Sequence, residues 1–271
     1  MQARKESVLR SGRNGGTGPS VGWEHALVPL VLVAVIALWE LVVHWADYPA
    51  FILPAPHQVF SRFVSIWREG SLQMHTLITL KEIFGGLALG LSVAVVLGYI
   101  LAKSRLLERV LSPYIIASQA IPIVALAPLL VIWFGSGSLS KVLVCALTLF
   151  FPVLMNTVVG IRNVNYELVE LMRSLRATRW QMFRYLEFPA ALPVLLGGLK
   201  VGVTLSVIGA VVGEFVGSDR GLGFLVNLAR GLFDTPLMFV ALVTLVVIAL
   251  ALYGLVAALE KWLLGWRWPE E

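Results

Sequence analysis

Six apolar runs dominate this chain, and each is close to the length of about 20 residues that a helix needs to cross a bilayer. They fall at residues 26–43, 83–101, 111–134, 142–161, 192–216 and 237–259. Hydrophobic residues make up 58% of the 271 residues and charged residues only 14%, whereas soluble domains carry roughly 25% charged residues. The sequence therefore predicts an all-α integral membrane protein of about six transmembrane helices.

The runs divide the chain into three predicted parts. Residues 1–25 are polar and rich in glycine, and they are interpreted as a disordered cytoplasmic tail. Residues 26–264 form the predicted six-span domain, and residues 265–271 form a short cytoplasmic C-terminus. No small-residue cleavage site follows the first run, which is therefore interpreted as an uncleaved span.

Basic residues predict the orientation of the spans. With the N-terminus inside, the inner segments hold the larger share of lysine and arginine, as cytoplasmic loops do. These residues are Arg4, Lys5, Arg10, Arg13, Lys103, Arg105, Arg109, Arg162, Arg173, Arg176, Arg179, Arg184, Lys261 and Arg267. Both termini are predicted to be cytoplasmic. The net charge of +5 is then a property of these loops, and no nucleic-acid partner is expected.

Two segments on the predicted outer side have helical character. Residues 53–67 carry apolar residues at helical spacing after two prolines, which predicts a short amphipathic helix on the outer surface. Residues 221–233 are moderately apolar and predict either a second surface helix or a lip over a cavity.

Motifs for catalysis are absent from the sequence. It has no G-x-x-x-x-G-K-[ST] phosphate loop, no H-E-x-x-H and no G-x-S-x-G. Cys145 is the only cysteine, and the four histidines are scattered. We therefore predict a protein that is not an enzyme and binds neither a metal nor a cofactor, with Cys145 as a small packing residue.

The longest inner loop, residues 162–191, is predicted to form two short amphipathic helices. The first has an apolar stripe at helical spacing, made of Leu168, Leu171, Met172 and Leu175. After a break near Arg176, Thr178 and Gln181 have the spacing of a capping box. A second stripe follows, made of Trp180, Phe183 and Leu186 and stopped by Pro189. Exposed stripes of this kind need a partner, and the bundle, lipid headgroups or another protein all remain open.

This loop resembles the EAA loop of bacterial ABC importer permeases, which has Glu-Ala-Ala, three residues, Gly, nine residues and Ile-x-Leu-Pro. Glu170, Leu171 and Met172 take the triplet, Arg176 takes the glycine place, and residues 186–189 take the end. Because arginine adopts a positive φ poorly, the turn is expected to differ in backbone shape from a glycine turn. The resemblance implies an ATPase-coupling element made of Glu170, Leu171, Met172, Arg176, Trp180, Phe183, Leu186 and Pro189.

Shorter motifs extend the resemblance to the nitrate, sulfonate and taurine permease family. They are Leu53-Pro-Ala-Pro, Thr79-Leu80, Ile121-Pro122, Pro128-Leu129, Trp133-Phe134-Gly135 and Asn156-Thr157 with Gly160. The resemblance implies a bacterial cytoplasmic-membrane permease that works by alternating access. It also implies three kinds of protein partner: cytoplasmic P-loop ATPases that bind ATP, an extracytoplasmic solute-binding protein and a second permease copy, with a homodimer as the default. Lipid surrounds the bundle.

The sequences at residues 171–177 and 212–223 resemble those of the members of this family that transport vitamins and vitamin precursors. Riboflavin and the thiamine pyrimidine are the leading substrates implied, and sulfonates, taurine or nitrate are the alternative. A channel or secondary transporter that acts without ATP is the rival class. It would predict interrupted spans at matching places in two halves, and the proline-broken third run has no clear counterpart.

Glu214 and Lys200 are the ionisable residues predicted to lie within the fifth span. Fourteen residues separate them, about 21 Å along a helix, so they are not expected to pair. Each is a candidate for the translocation path. The alternative, which we favour, places Glu214 near the outer interface and lets Lys200 extend toward the inner one.

Overall fold

The computed structural model describes residues 21–265, all of the regular structure being helical. The helices are α1 Val21–Ala46, α2 Pro56–Arg68, α3 Ser71–Lys103, α4 Arg105–Gln119, α5 Ile123–Phe134, α6 Ser138–Arg162, α7 Tyr166–Ser174, α8 Arg179–Met182, α9 Phe188–Gly217, α10 Leu222–Gly231 and α11 Thr235–Leu264. A π-helical turn, Phe183–Glu187, joins α8 to α9. Residues 1–20 of the predicted tail, and 266–271 of the predicted C-terminus, lie outside the described residues.

Five helices in the described part are long and apolar enough to cross a membrane, and a bent pair brings the number to six. They are α1, α3, α6, α9 and α11, and the bent pair is α4 with α5. Each predicted run lies within one of these helices or within the bent pair, although α1 begins at Val21 rather than at residue 26 and α3 at Ser71 rather than at residue 83. The chain forms two compact units, one up to His57 that contains α1 and one from Gln58 onward.

The third predicted span is not one straight helix. α4 and α5 meet at 92°, with a break over residues 120–122. Pro122 precedes α5 and has no backbone N–H to continue the α4 ladder, and it also disfavours helical geometry at Ile121. This segment is therefore a broken span or a re-entrant loop, whereas its neighbours α3 and α6 are each one continuous helix.

Close contact between α3, α6 and α9 forms the centre of the second unit. Small residues allow it: a Cβ on Gly86 of α3 would lie 2.2 Å from the Cβ of Cys145 in α6. On the other side of Cys145, a Cβ on Gly209 of α9 would lie 2.8 Å from the Cys145 Cα. Such close approach is how helices associate in lipid, where apolar burial gives little drive. Cys145 is buried, and its predicted role as a packing residue is confirmed.

The two predicted outer segments are both helical. α2 includes the amphipathic stretch, and its Arg62 donates to Asp234 at 2.7 Å. Asp234 also caps α11 by accepting from the Leu237 N–H. α10 is not a surface helix, because it buries one face against the bundle with Leu222, Leu225, Val226 and Ala229.

Candidate functional site

Two regions at opposite ends of α9 carry the candidate residues. The loop end is where α7, α8 and the π-helical turn connect α6 to α9, and the α10 end is where α9 passes into α10. The eight residues predicted to form the coupling element lie at the loop end. Glu214 lies at the α10 end, one turn before α9 stops at Gly217.

The first loop helix, α7, is held by caps at both ends. The Asn165 side chain accepts from the Glu167 N–H at 2.8 Å. At the other end, Arg176 N–H donates to Arg173 and Ala177 N–H donates to Met172. This pair of bonds is a Schellman motif. It requires a left-handed residue, and Arg176 supplies it with φ of 57°. The expectation that Arg176 would change the turn is wrong, because arginine adopts the conformation that glycine favours.

The second loop helix begins with the predicted capping box. The Thr178 hydroxyl accepts from the Gln181 N–H, and the Gln181 side chain accepts from the Thr178 N–H at 2.8 Å. The predicted stop at Pro189 is wrong, because the chain continues through the π-helical turn into α9. Phe188 N–H bonds to the Phe183 carbonyl five residues back. A wide turn just before Pro189 accommodates a ring that would collide with the carbonyl in an α-helical turn.

The loop exposes large apolar side chains. Leu171 is 54% exposed, Leu175 69% and Trp180 68%. Leu168 is exposed on the same side of α7. Glu170 lies next to this surface and accepts a hydrogen bond from Tyr166, which raises the pKa of Tyr166. We name Leu168, Leu171, Leu175 and Trp180 the apolar loop surface.

The remaining predicted loop residues face the bundle more than the solvent. Met172, Phe183, Leu186 and Pro189 are half-buried. The Phe183 ring packs edge-on against Tyr99 of α3, with ring centres 5.3 Å apart. The predicted second stripe is therefore divided, with Trp180 outward and Phe183 anchored on α3.

Glu187 is a second anchor of the loop, and the sequence did not point to it. Its carboxylate is buried, forms an ion pair with Lys103 and accepts from the Tyr99 hydroxyl at 3.1 Å. Arg162 at the end of α6 also pairs with Glu108 of α4. Glu187 was detectable only as an acidic residue between apolar Leu186 and Phe188 in a basic loop.

At the α10 end, Glu214 is turned into the bundle and is only 1% exposed. It accepts from the Thr79 hydroxyl at 2.7 Å and from the Gly223 N–H at the start of α10. Thr79 also accepts from the Leu222 N–H, and the His75 ring accepts from the Gly221 N–H at 2.9 Å. Side chains of α3 and α9 thus bind the first N–H groups of α10, which have no partner inside the helix.

The turn before α10 fits closely around this carboxylate. Gly221 has φ of 106°, and an added Cβ there would lie 2.2 Å from a Glu214 oxygen. Only glycine has both the backbone freedom and the missing side chain that this position requires.

A buried lysine and a second carboxylate complete the α10 end. Lys141 of α6 is 1% exposed and donates to the carbonyls of Ser136, Gly137 and Gly217, which uses all three ammonium protons. Glu82 is buried beside Glu214, within hydrogen-bonding reach of it. Glu82 and Lys141 also line a polar cavity of about 310 Å³. The sequence missed both, since each lies at the polar edge of an apolar run.

Lys200 and Glu214 are not brought together, in agreement with their spacing. Lys200 forms an ion pair with Glu260 of α11 and lies 5.8 Å from the centre of the Tyr253 ring. Both ion-pair partners are partly exposed. Whether Lys200 or Glu214 contributes to a translocation path stays a prediction. Among the described residues, no group of three or more potential ligands is arranged to hold a metal ion.

Comparisons with known proteins agree on one family for this chain. A family model described as the binding-protein-dependent transport system inner membrane component matches residues 94–265. The chain is 52% identical to the riboflavin transport system permease protein RibX of Chloroflexus aurantiacus, over 90% of this chain and 91% of the relative. It is 36% identical to the formylaminopyrimidine transport permease protein ThiX of Halalkalibacterium halodurans, over 89% and 96% respectively.

More distant matches agree with this family. The chain is 32% identical to the putative aliphatic sulfonates transport permease protein SsuC of Bacillus subtilis, over 91% of this chain and 88% of the relative. A chain of the MetNI methionine ABC transporter in an inward-facing conformation has the same fold, with a TM-score of 0.56 and 21% identity. That match covers 73% of this chain and 94% of the other.

The apolar helices and the family match make this a multi-pass inner-membrane protein, and its relatives are transport subunits rather than enzymes. The importer resemblance predicted from the loop and the shorter motifs is confirmed. The chain belongs to the family of binding-protein-dependent transport system inner membrane components, the permease subunits of ABC importers.

Proposed function

We propose that this chain is the permease subunit of a riboflavin importer. The observation that carries the proposal is the 52% identity to a riboflavin permease over about nine-tenths of both chains. The match spans 245 residues, so it covers the membrane helices as well as the loop.

A thiamine precursor is the second candidate substrate. The formylaminopyrimidine permease is 36% identical over a similar share of the chain. The sulfonate and taurine permeases are 32% and 29% identical to this chain. Sulfonates and taurine are therefore less well supported as substrates than riboflavin or a thiamine precursor.

The apolar loop surface is our proposed contact with the ATPase. As an ABC importer permease, the chain works with an ATPase that binds ATP and with a solute-binding protein. Leu171, Leu175 and Trp180 each expose more than half of their surface, and exposed apolar patches mark protein contacts. The anchors at Phe183 and Glu187 would carry movement of this surface into α3 and α9.

The loop end is then the cytoplasmic end, and both termini are cytoplasmic. Lys103, Arg162, Arg173, Arg179 and Arg184 lie there, as the positive-inside rule requires. We propose that two copies of the chain form the path, as the resemblance to paired permeases implies, and that they move by alternating access. Binding energy drives that change only where it differs between the two states.

Uptake into proteoliposomes tests the substrate. The chain is reconstituted with its ATPase and binding protein, and ATP-dependent accumulation of riboflavin is measured beside that of formylaminopyrimidine and taurine. We expect riboflavin to accumulate and the other two to accumulate only weakly. Accumulation of formylaminopyrimidine without riboflavin would move the assignment to the second candidate. Riboflavin uptake that is independent of ATP would contradict the importer mechanism.

A further inference from the structure

A large cavity lies at the loop end, between the loop helices and the ends of α3 and α6. Its volume is about 760 Å³. We name it the loop cavity, and it is lined by Tyr99, Ala102, Lys103, Ile161, Arg162, Val164, Tyr166, Val169, Arg173, Ala177, Arg179, Met182 and Glu187. Four of these side chains are basic and one is acidic, so the cavity is electropositive.

Two of the four cations are neutralised within the chain and two are not. Lys103 pairs with Glu187, and Arg162 pairs with Glu108. Within the described residues, neither Arg173 nor Arg179 has a carboxylate oxygen within 4.0 Å of its guanidinium. The loop cavity therefore presents two arginine forks that lack an anion, and guanidinium forks match phosphate oxygens in geometry.

The position of the cavity suggests where such an anion comes from. Two candidate spans end at its wall, α3 at Lys103 and α6 at Arg162. The ends of spans lie at the level of the lipid headgroups. Basic pockets between helices at this level bind phosphate headgroups.

The loop cavity and the proposed ATPase contact lie on different faces of α7. Tyr166, Val169 and Arg173 follow one another at helical spacing and line the cavity. Leu168, Leu171 and Leu175 follow the same spacing on another face and are exposed. An anion in the loop cavity would thus leave the apolar loop surface accessible.

We propose that the loop cavity binds a phosphate group, presented by the headgroup of an anionic phospholipid, between Arg173 and Arg179. The bound phosphate bridges the bundle and the loop helices, and it fixes the angle at which the loop is presented. This inference does not depend on which solute the protein transports.

Lipid retention by the purified full-length chain tests the proposal. The chain is delipidated in detergent, and binding of phosphatidylglycerol and of phosphatidylcholine is measured by native mass spectrometry. R173Q and R179Q are compared with R184Q, which removes an exposed charge of the same loop that does not line the cavity. We expect each cavity variant to bind phosphatidylglycerol about fivefold more weakly, corresponding to about 1 kcal/mol per basic residue. R184Q should bind within about twofold of wild type, and R173K, which keeps the charge but loses the guanidinium fork, should bind with an affinity between those of R184Q and R173Q.

Thermal unfolding with inorganic phosphate distinguishes the two sources of the phosphate group. If phosphatidylglycerol binds and inorganic phosphate does not stabilise the chain, the ligand is a lipid headgroup. If inorganic phosphate stabilises wild type but neither R173Q nor R179Q, the cavity takes free phosphate. Equal phosphatidylglycerol binding by wild type, R173Q and R179Q, without stabilisation by phosphate, would overturn the proposal, as would equal loss in R184Q.

Discussion

The two ends of α9 differ in the side chains that they bury and the side chains that they expose. At the α10 end, the ionisable residues Glu214 and Lys141 are buried and bonded to neighbouring backbone groups. At the loop end, apolar Leu171 and Trp180 are exposed. A buried charge with full partners fixes one arrangement because losing a partner is costly. An exposed apolar side chain gains energy only when a second surface covers it.

This difference indicates that the two ends have different roles in the permease. The α10 end is completed by the chain itself, and α3, α6, α9 and α10 are joined there through side-chain contacts to backbone groups. In our proposal, the loop end is completed by the ATPase. Substitutions at the α10 end should therefore change the stability of the isolated chain, whereas substitutions on the apolar loop surface should change assembly alone.

The largest effect is expected for Gly221→Ala. The new Cβ would overlap the Glu214 carboxylate and would hold a positive φ, so strain and overpacking together should cost at least about 3 kcal/mol. Thermal unfolding in detergent measures the loss. Gly231→Ala at the other end of α10 is the control, because no atom lies within 4 Å of its added Cβ. Equal melting temperatures for the two variants would mean that the α10 end is not rigid.

Removal of the buried ammonium should have the next largest effect. Lys141→Met removes the hydrogen bonds that the buried ammonium donates to Ser136, Gly137 and Gly217, and each such bond contributes about 0.5–1.5 kcal/mol. We expect a loss of about 2 kcal/mol in the free energy of unfolding, measured with denaturant. Lys81→Met, an exposed lysine on the same cavity, should unfold like wild type. A stable Lys141→Met variant would show that the three carbonyls find other donors.

The apolar loop surface should respond in the opposite manner. Leu171→Ser removes a side chain that is 54% exposed, so unfolding of the isolated chain should not change. Affinity for the ATPase should fall about 30-fold, since buried anchors at interfaces contribute roughly 2 kcal/mol each. Binding of the purified ATPase to the chain in nanodiscs measures this. Leu232→Ser, exposed beyond α10, serves as the control. Unchanged ATPase affinity in Leu171→Ser would remove the loop from the contact.

The smallest effect is expected at the turn between the loop helices. Arg176→Gly relieves the strain of a left-handed arginine, although glycine loses more backbone entropy on folding. The net gain should be about 0.5–1 kcal/mol in the stability of the loop, detected as slower amide exchange at Ala177. Arg176→Ala keeps the strain and should show no gain. Faster exchange in the glycine variant would mean that the Arg176 side chain itself stabilises the turn.

Local signals in the sequence predicted a large part of this structure. The apolar runs predicted the long helices, and Thr178 with Gln181 predicted the capping box, because both patterns depend on neighbours within a few residues. The outcome at Arg176 shows the limit of such reasoning: the intrinsic preference of arginine was outweighed by the Schellman bonds that close α7.

Contacts between distant segments were not predictable in the same way. Glu214 was singled out as an ionisable residue of the fifth span, but its partners Thr79 and Gly223 come from two other helices. The same holds for Glu187 with Lys103, which are 84 residues apart. The continuation of the helix past Pro189 depends on the π-helical turn, and no spacing of residues indicated it. Family resemblance supplied the partners of the loop, which the residues alone left open.

Site-specific photo-crosslinking in native membranes tests the central claim most directly. A photoreactive amino acid replaces Leu171 on the apolar loop surface or Leu232 at the α10 end, and the captured proteins are identified by mass spectrometry. The account predicts that the probe at Leu171 captures a P-loop ATPase and that the probe at Leu232 does not. Capture of the ATPase from Leu232, or only of this chain itself from Leu171, would contradict the assignment of the loop end as the contact with the ATPase.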